Sequence, residues 1–368
     1  MRDELFWHQI PDAARMIAKI RDNLLTGKHT ILHTSAHMPW AQTIRRILKE
    51  DVSNKDHIRA FKEVDAEEIP DTQDGLGEYL LRHYCKEELR VRFRPRMGYA
   101  HFLADNDDEC TLPSTYLWIR GASALQVRAW MPFLKDYAAD IKSMHRSGCI
   151  CFIETADEEE QAVKGVQEVF YNQEVTSYDC YVFYFLMAAE VKADSSMKEY
   201  LASLAAELAG TDIELGAACI GKSMQFLEDP EACLAQLDGE TDSMGHPFAI
   251  DGAQKRLGNA VWNTQVKLLF PVLEQERGAF LAKYSHRLQD ILNRTSVYNS
   301  AGEPVTDYHD VELGLMWSFY WANSPAQKLD LTAQEAAALQ LLREARNKLA
   351  HIDTISLPEV QKILSRKK

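Results

Sequence analysis

The sequence predicts an α/β domain followed by an all-α domain, and three observations lead to that reading. Strand-like and helix-like hydropathy patterns alternate over residues 1–240, the signature of a mostly parallel sheet covered by helices in three layers. A polar, turn-rich stretch at 241–256 breaks the alternation, and beyond it strand patterns disappear. The charge divides at the same place. Residues 255–368 carry 15 Lys/Arg and 12 Asp/Glu, whereas residues 1–254 carry 26 and 43, so the net −14 of the 368-residue chain belongs to its first part. The expected organisation is therefore an α/β domain over 1–240, a linker over 241–256 and a helical domain over 257–368.

The elements follow in order. Residues 10–25 put apolar side chains at 13, 14, 16, 17, 20 and 24, one helical face, and Gly27 stops the helix. His29-Thr30-Ile31-Leu32-His33-Thr34 reads as the first strand, 41–48 as a helix and 58–64 as the second strand. A helix over 76–84 precedes a basic stretch in which Arg90, Arg92, Arg94 and Arg96 alternate. Read as a strand, this puts all four on one face, an edge guarded against aggregation in preference to a groove following phosphates. Residues 113–119 form the third strand, 125–141 a long helix, 149–154 the fourth strand and 166–175 a fifth, leading into helical 181–189. In the C-terminal part, 260–292 is one long helical stretch in which Pro271 kinks or restarts the helix. Residues 310–321 form a second helix. Thr332 caps a third, with Glu335 completing a capping box, and it runs to about residue 350. A short helix at 358–364 ends the chain. Four helical stretches in this length fit a four-helix bundle.

Composition narrows the function. With 46% hydrophobic residues the chain can bury a core. No apolar run approaches the ~20 residues needed to span a bilayer, and the N-terminal residues lack the pattern of a secretory signal, so a cytoplasmic protein without membrane contact is expected. The seven cysteines are odd in number and several sit in apolar runs, which reads as buried reduced thiols. Cys149-Ile150-Cys151 has no second pair nearby to complete a zinc site, and His33 and His37 would share a metal only on a helix, where a strand is expected instead. No metal or cofactor is called for. The net charge opposes general nucleic-acid binding, which rests on cations neutralising phosphates. The C-terminal third escapes that exclusion.

That third contains Arg343-Glu344-Ala345-Arg346-Asn347-Lys348-Leu349-Ala350-His351. Asn347 and His351 share a helix face, and the long Arg346 side chain leans toward it. A permanent cation, an amide and an imidazole together can cut RNA without a metal. The imidazole moves protons at the ribose 2′-hydroxyl or the leaving oxygen, and the guanidinium stabilises the phosphate transition state. On spacing alone, an Arg and a His near a helix end also serve simply to cap its carbonyls.

The stretch Arg346-Asn347-Lys348-Leu349-Ala350-His351 resembles the R-N-x-x-A-H form of the R-x(4–6)-H signature of the HEPN superfamily, over roughly residues 255–368. The resemblance implies a four-helix bundle that dimerises, apposing two motif helices to form a composite site. It implies a metal-independent endoribonuclease acting on RNA, of the kind found in bacterial antiviral defence and toxin systems, with Arg346 and His351 catalytic and Asn347 supporting. Some relatives keep the fold and only bind or scaffold, so the alternative is an inactive structural or regulatory subunit of a defence complex.

The first domain resembles, by element order, a P-loop NTPase of the AAA or STAND kind whose motifs are degenerate. Thr34-Ser35-Ala36-His37-Met38-Pro39-Trp40 stands where the phosphate loop would be but lacks its glycines and lysine. Arg120-Gly121 follows the third strand where an acidic residue would stand, and Ile153-Glu154-Thr155 occupies the place of a polar sensor. A literal Walker A match, Gly216-Ala217-Ala218-Cys219-Ile220-Gly221-Lys222-Ser223, has no strand feeding it and reads as helix. Lys28, Arg45 and Arg46 remain as phosphate contacts. The resemblance implies an inert scaffold or a module that binds a protein partner.

Overall fold

The computed structural model describes residues 2–34, 38–299 and 301–367. Two compact units emerge. The first comprises residues 1–183, 211–215 and 241–247, and the second 184–210, 216–240 and 248–368. The division thus differs from one at 241–256, and most of the helices between the sheet and that stretch group with the C-terminal part.

The first unit opens with α1 (Arg2–Gln9) and α2 (Pro11–Leu25), then β1 (His29–His33), α3 (Ala41–Ser53) and β2 (Ala60–Asp65). Next come α4 (Gly75–Tyr84), α5 (Glu87–Arg92), α6 (Tyr99–Asp105), β3 (Thr115–Ala122), α7 (Ala124–Ser143), β4 (Ile150–Thr155) and β5 (Val166–Phe170). The strands form one sheet in the order β2-β3-β4-β1-β5, every ladder parallel. β1 and β4 are buried along their whole length, as a sheet covered on both faces requires. Ile31, Leu117, Ile119, Cys151 and Ile153 pack with residues of α4, α6 and α7 in one core cluster. The intervening side chains, among them Trp118, Phe152 and Glu154, alternate to the opposite face. The sequence places these three strands correctly because their burial makes them continuous apolar runs.

Two local expectations fail. Residues 90–94 are not a strand: 90–92 close α5, and Phe93 and Arg94 link it to a short 3₁₀ turn at Pro95–Met97. Glu87 and Glu88 in the first turn and Arg90 and Arg92 in the last complement the helix dipole, so the first two of the alternating arginines belong to a helix and Arg94 and Arg96 lie beyond it. The expected strand 166–175 ends at Phe170, and Tyr171–Glu174 forms a helical turn, α8.

Thereafter the chain is helical: α9 (Ser177–Ala189), α10 (Ser195–Ala209), α11 (Ile213–Gly221), α12 (Met224–Glu228) and α13 (Pro230–Leu237), then α14 (Ile250–Arg294), α15 (Leu313–Tyr320), α16 (Ala333–Ala350) and α17 (Leu357–Leu364). In the second unit α14, 45 residues long, is the spine on which α10, α13, α16 and α17 pack. It begins inside the expected linker, and Pro271 lies within it without ending it. The capping box at Thr332 and Glu335 forms as the sequence predicts. The Lys283 ammonium, together with the Thr332 bonds, holds the Glu335 carboxyl down at about 2.

His29 gives the first unit a pH dependence. Its buried Nδ1 accepts a hydrogen bond from the Cys151 N–H at 3.0 Å, and burial lowers its pKa from 6.5 to about 4. The imidazole is therefore neutral when folded while the unfolded chain takes up a proton below about 6.5, so stability falls as pH drops from there toward about 4. Between pH 7.5 and pH 5 this single group should cost about 2 kcal/mol. Urea midpoints at the two pH values should fall less steeply for His29→Gln than for the wild type.

Candidate functional site

In the second unit, Trp262 of α14 donates its Nε1–H to the Leu349 carbonyl at 2.9 Å, meeting one of the otherwise unpaired carbonyls in the last turn of α16. Three residues further along α14, the buried Gln265 bonds both backbone groups of Ile355. Its Nε2–H donates to the carbonyl at 2.9 Å, and its Oε1 accepts from the N–H at 2.9 Å. The segment between α16 and α17 is thus fastened to α14 on both sides of His351.

The helix itself ends in a Schellman turn. The Asp353 N–H donates to the Lys348 carbonyl at 3.0 Å and the Ile352 N–H to that of Leu349 at 3.3 Å. This puts Ile352 at φ +61°, a left-handed conformation rarely tolerated by a β-branched residue, while its side chain remains 71% exposed. His351 is the exposed C-cap residue, held by its backbone N–H to the Asn347 and Lys348 carbonyls. Its ring makes no hydrogen bond or ion pair among the described residues.

Arg346 and Asn347, one turn earlier, line a cleft of about 550 Å³ together with Arg343, Arg277 and His309. His351 does not line it. Each arginine is held differently. Arg277 donates to the His309 carbonyl at 3.1 Å and pairs with Glu274 at 2.8 Å. The Arg343 guanidinium lies 5.2 Å from the centre of the Trp317 ring, and its buried Nε has no hydrogen-bond partner among the described residues. Among the described residues Arg346 reaches only Glu312, at 4.0 Å, with 42% of its side chain exposed. Glu274, Glu303, Asp310 and Glu312 also line the cleft and offset the three arginines. The motif residues were visible in the sequence. Arg277 and the 299–314 wall were not, because nothing local marks them as neighbours of α16.

The first unit has its own cleft, about 190 Å³, at the carboxyl ends of the strands, where open parallel sheets present their ligand crevice. Thr34, Arg45, Glu154 and Thr155 line it. Its polar groups are already spent on one another. Arg45 holds Glu154 through Nε at 3.0 Å and Nη2 at 2.5 Å, and the Trp118 Nε1–H donates to the same carboxylate at 2.8 Å. That bond to Glu154, against the opposing effect of burial, raises the Arg45 pKa further. Arg46 pairs with Glu4 and Glu50. Ser35, Ala36 and His37 of the phosphate-loop-like segment lie outside the described residues, so the His33–His37 pair does too. The His33 ring bonds the Asp157 carbonyl at 2.5 Å and Glu168 at 2.9 Å and stacks on Phe170. Among the described residues no group of three or more His, Cys, Asp or Glu is arranged to hold a metal ion. The literal Walker A stretch is largely α11, where a Cβ on Gly216 would collide with the Tyr184 ring. Among the described residues no helix is long and apolar enough to cross a membrane.

No family model matches the chain, and no curated protein matches it.

Two substitutions test how the turn carrying His351 is held. Gln265→Ala leaves both backbone groups of Ile355 unpaired and should cost about 2–4 kcal/mol in urea unfolding. Ile352→Gly relieves the left-handed conformation and should raise stability by about 0.5–1 kcal/mol in the same measurement.

Proposed function

We propose that the helical unit is a metal-independent endoribonuclease of the HEPN type, acting as a homodimer, with Arg346 and His351 catalytic and Asn347 supporting. One observation carries the proposal: the helix end is anchored by Trp262 and Gln265, yet the two side chains at issue are left uncommitted. His351 is exposed with a free ring, and Arg346 is partly exposed beside a loose carboxylate contact. A helix that needed these residues as caps or staples would engage them. In the reaction the imidazole moves protons at the 2′-hydroxyl or the leaving oxygen, and the guanidinium meets the charge that builds on the phosphate. In one copy Arg346 faces the cleft and His351 lies beyond it, so apposition of two motif helices is the step that completes the site.

For the first unit the reading is a P-loop-like scaffold of the AAA or STAND kind that has lost its nucleotide chemistry and serves as a sensor or partner-binding module, in antiviral defence or a toxin system. Two features support it. β4 lies between β1, which leads into the loop, and β3, in the place of the acidic strand, as that class of NTPase orders them. Where a nucleotide's phosphates and metal would be met, Arg45 and Glu154 neutralise each other.

A second reading, an inactive subunit that uses both units for assembly, is favoured by the four carboxylates in the cleft, which oppose phosphate binding in a single copy.

The test is incubation of the purified chain with a random-sequence single-stranded RNA pool, with and without EDTA. Cleavage should persist in EDTA and drop by roughly 100-fold or more in Arg346→Ala and in His351→Ala. Cleavage unchanged in both variants, or lost with EDTA, contradicts the proposal; an inert wild type supports the assembly reading.

A further inference from the structure

Outside both clefts, Cys85 and Cys110 face each other. They form an isolated antiparallel bridge, the pairing that brings two Cα atoms about 4.5–5.5 Å apart, inside the range a disulfide spans. Their sulfurs are 2.7 Å apart, and the neighbouring Thr111 N–H donates to the Tyr84 carbonyl at 3.0 Å, closing the same junction. Both thiols are free; Cys85 is buried and Cys110 partly exposed, so a small oxidant has one accessible side. Between them the chain makes the excursion that carries Arg90, Arg92, Arg94 and Arg96, all exposed.

We propose that Cys85 and Cys110 are a reversible redox pair, oxidised by peroxide to a disulfide that clamps the base of this arginine-bearing excursion. The hydrogen bond between the two sulfurs, ahead of the nearby Arg90 charge, eases Cys85 ionisation despite its burial. Peroxide entering from the Cys110 side meets the Cys85 thiolate, which attacks one of its oxygens; the O–O bond breaks, and the departing hydroxide takes up the proton that Cys85 released on ionising. The Cys110 sulfur then displaces water from the sulfenic acid as its own proton leaves. Two thiols and one hydrogen peroxide give one disulfide and two waters. Cys149 and Cys151, two apart and both buried, offer an oxidant no accessible side and stay reduced.

The full chain treated with hydrogen peroxide, blocked with N-ethylmaleimide and mapped by non-reducing peptide mass spectrometry should yield a Cys85–Cys110 linked peptide. Dithiothreitol should reverse it, and Cys110→Ser should remove it. Trypsin under native conditions should cut after Arg90, Arg92 and Arg96 several-fold more slowly in the oxidised chain. Absence of the link while Cys85 is over-oxidised to sulfinic acid, or linkage of Cys85 to Cys149 or Cys151 instead, overturns the pairing. Unchanged trypsin cleavage overturns the clamp.

Discussion

The candidate active site depends on one buried side chain. Gln265 sits on α14 and takes both backbone groups of Ile355, converting the turn after α16 from a free loop into a fixed support. Because that amide is buried, both bonds are made away from competing water, and losing either would leave a desolvated backbone group unpaired. Trp262 adds the third attachment through the Leu349 carbonyl. Together they fix the direction in which α16 ends, and thereby where Arg346, Asn347 and His351 stand relative to α14. The strained Ile352 is the local consequence: the turn is over-determined by its surroundings and keeps a β-branched residue in a left-handed conformation.

The first unit shows the opposite use of polar groups. At the carboxyl end of its sheet, Arg45, Glu154 and Trp118 satisfy one another within a crevice that parallel sheets commonly devote to a ligand. A buried ion pair of this kind contributes little net stability, yet removing either partner strands the other. The charged groups of this crevice thus serve the shape of the unit, in keeping with the partner-binding role proposed for it.

Much of this was legible in the sequence where burial writes a pattern. β1, β3 and β4 read as strands because both faces are covered, and the Thr332 and Glu335 capping box announced the start of α16. What failed was structure set by distant partners. α1 went unrecognised because Phe6 gains its burial from Trp7, Trp40 and Phe183 rings, two of them far along the chain. The arginines at 90–96 alternate like a strand, but the acidic residues ahead of them settle a helix that takes in Arg90 and Arg92, and Pro95 opens a 3₁₀ turn after it. The site divides the same way. Arg346, Asn347 and His351 are consecutive enough to be seen, whereas Arg277, Arg343 stacked on Trp317, and Gln265 become meaningful only once α14, α15 and α16 pack.

The central claim is chemical: a guanidinium and an imidazole drive attack by the ribose 2′-hydroxyl with no metal taking part. The most direct measurement is the structure of the RNA ends left after digestion in EDTA. The account predicts 2′,3′-cyclic phosphate and 5′-hydroxyl ends, and no cutting of a pool in which every ribose is 2′-O-methylated. Products bearing 3′-hydroxyl and 5′-phosphate ends, or cleavage of the 2′-O-methylated pool, would contradict it.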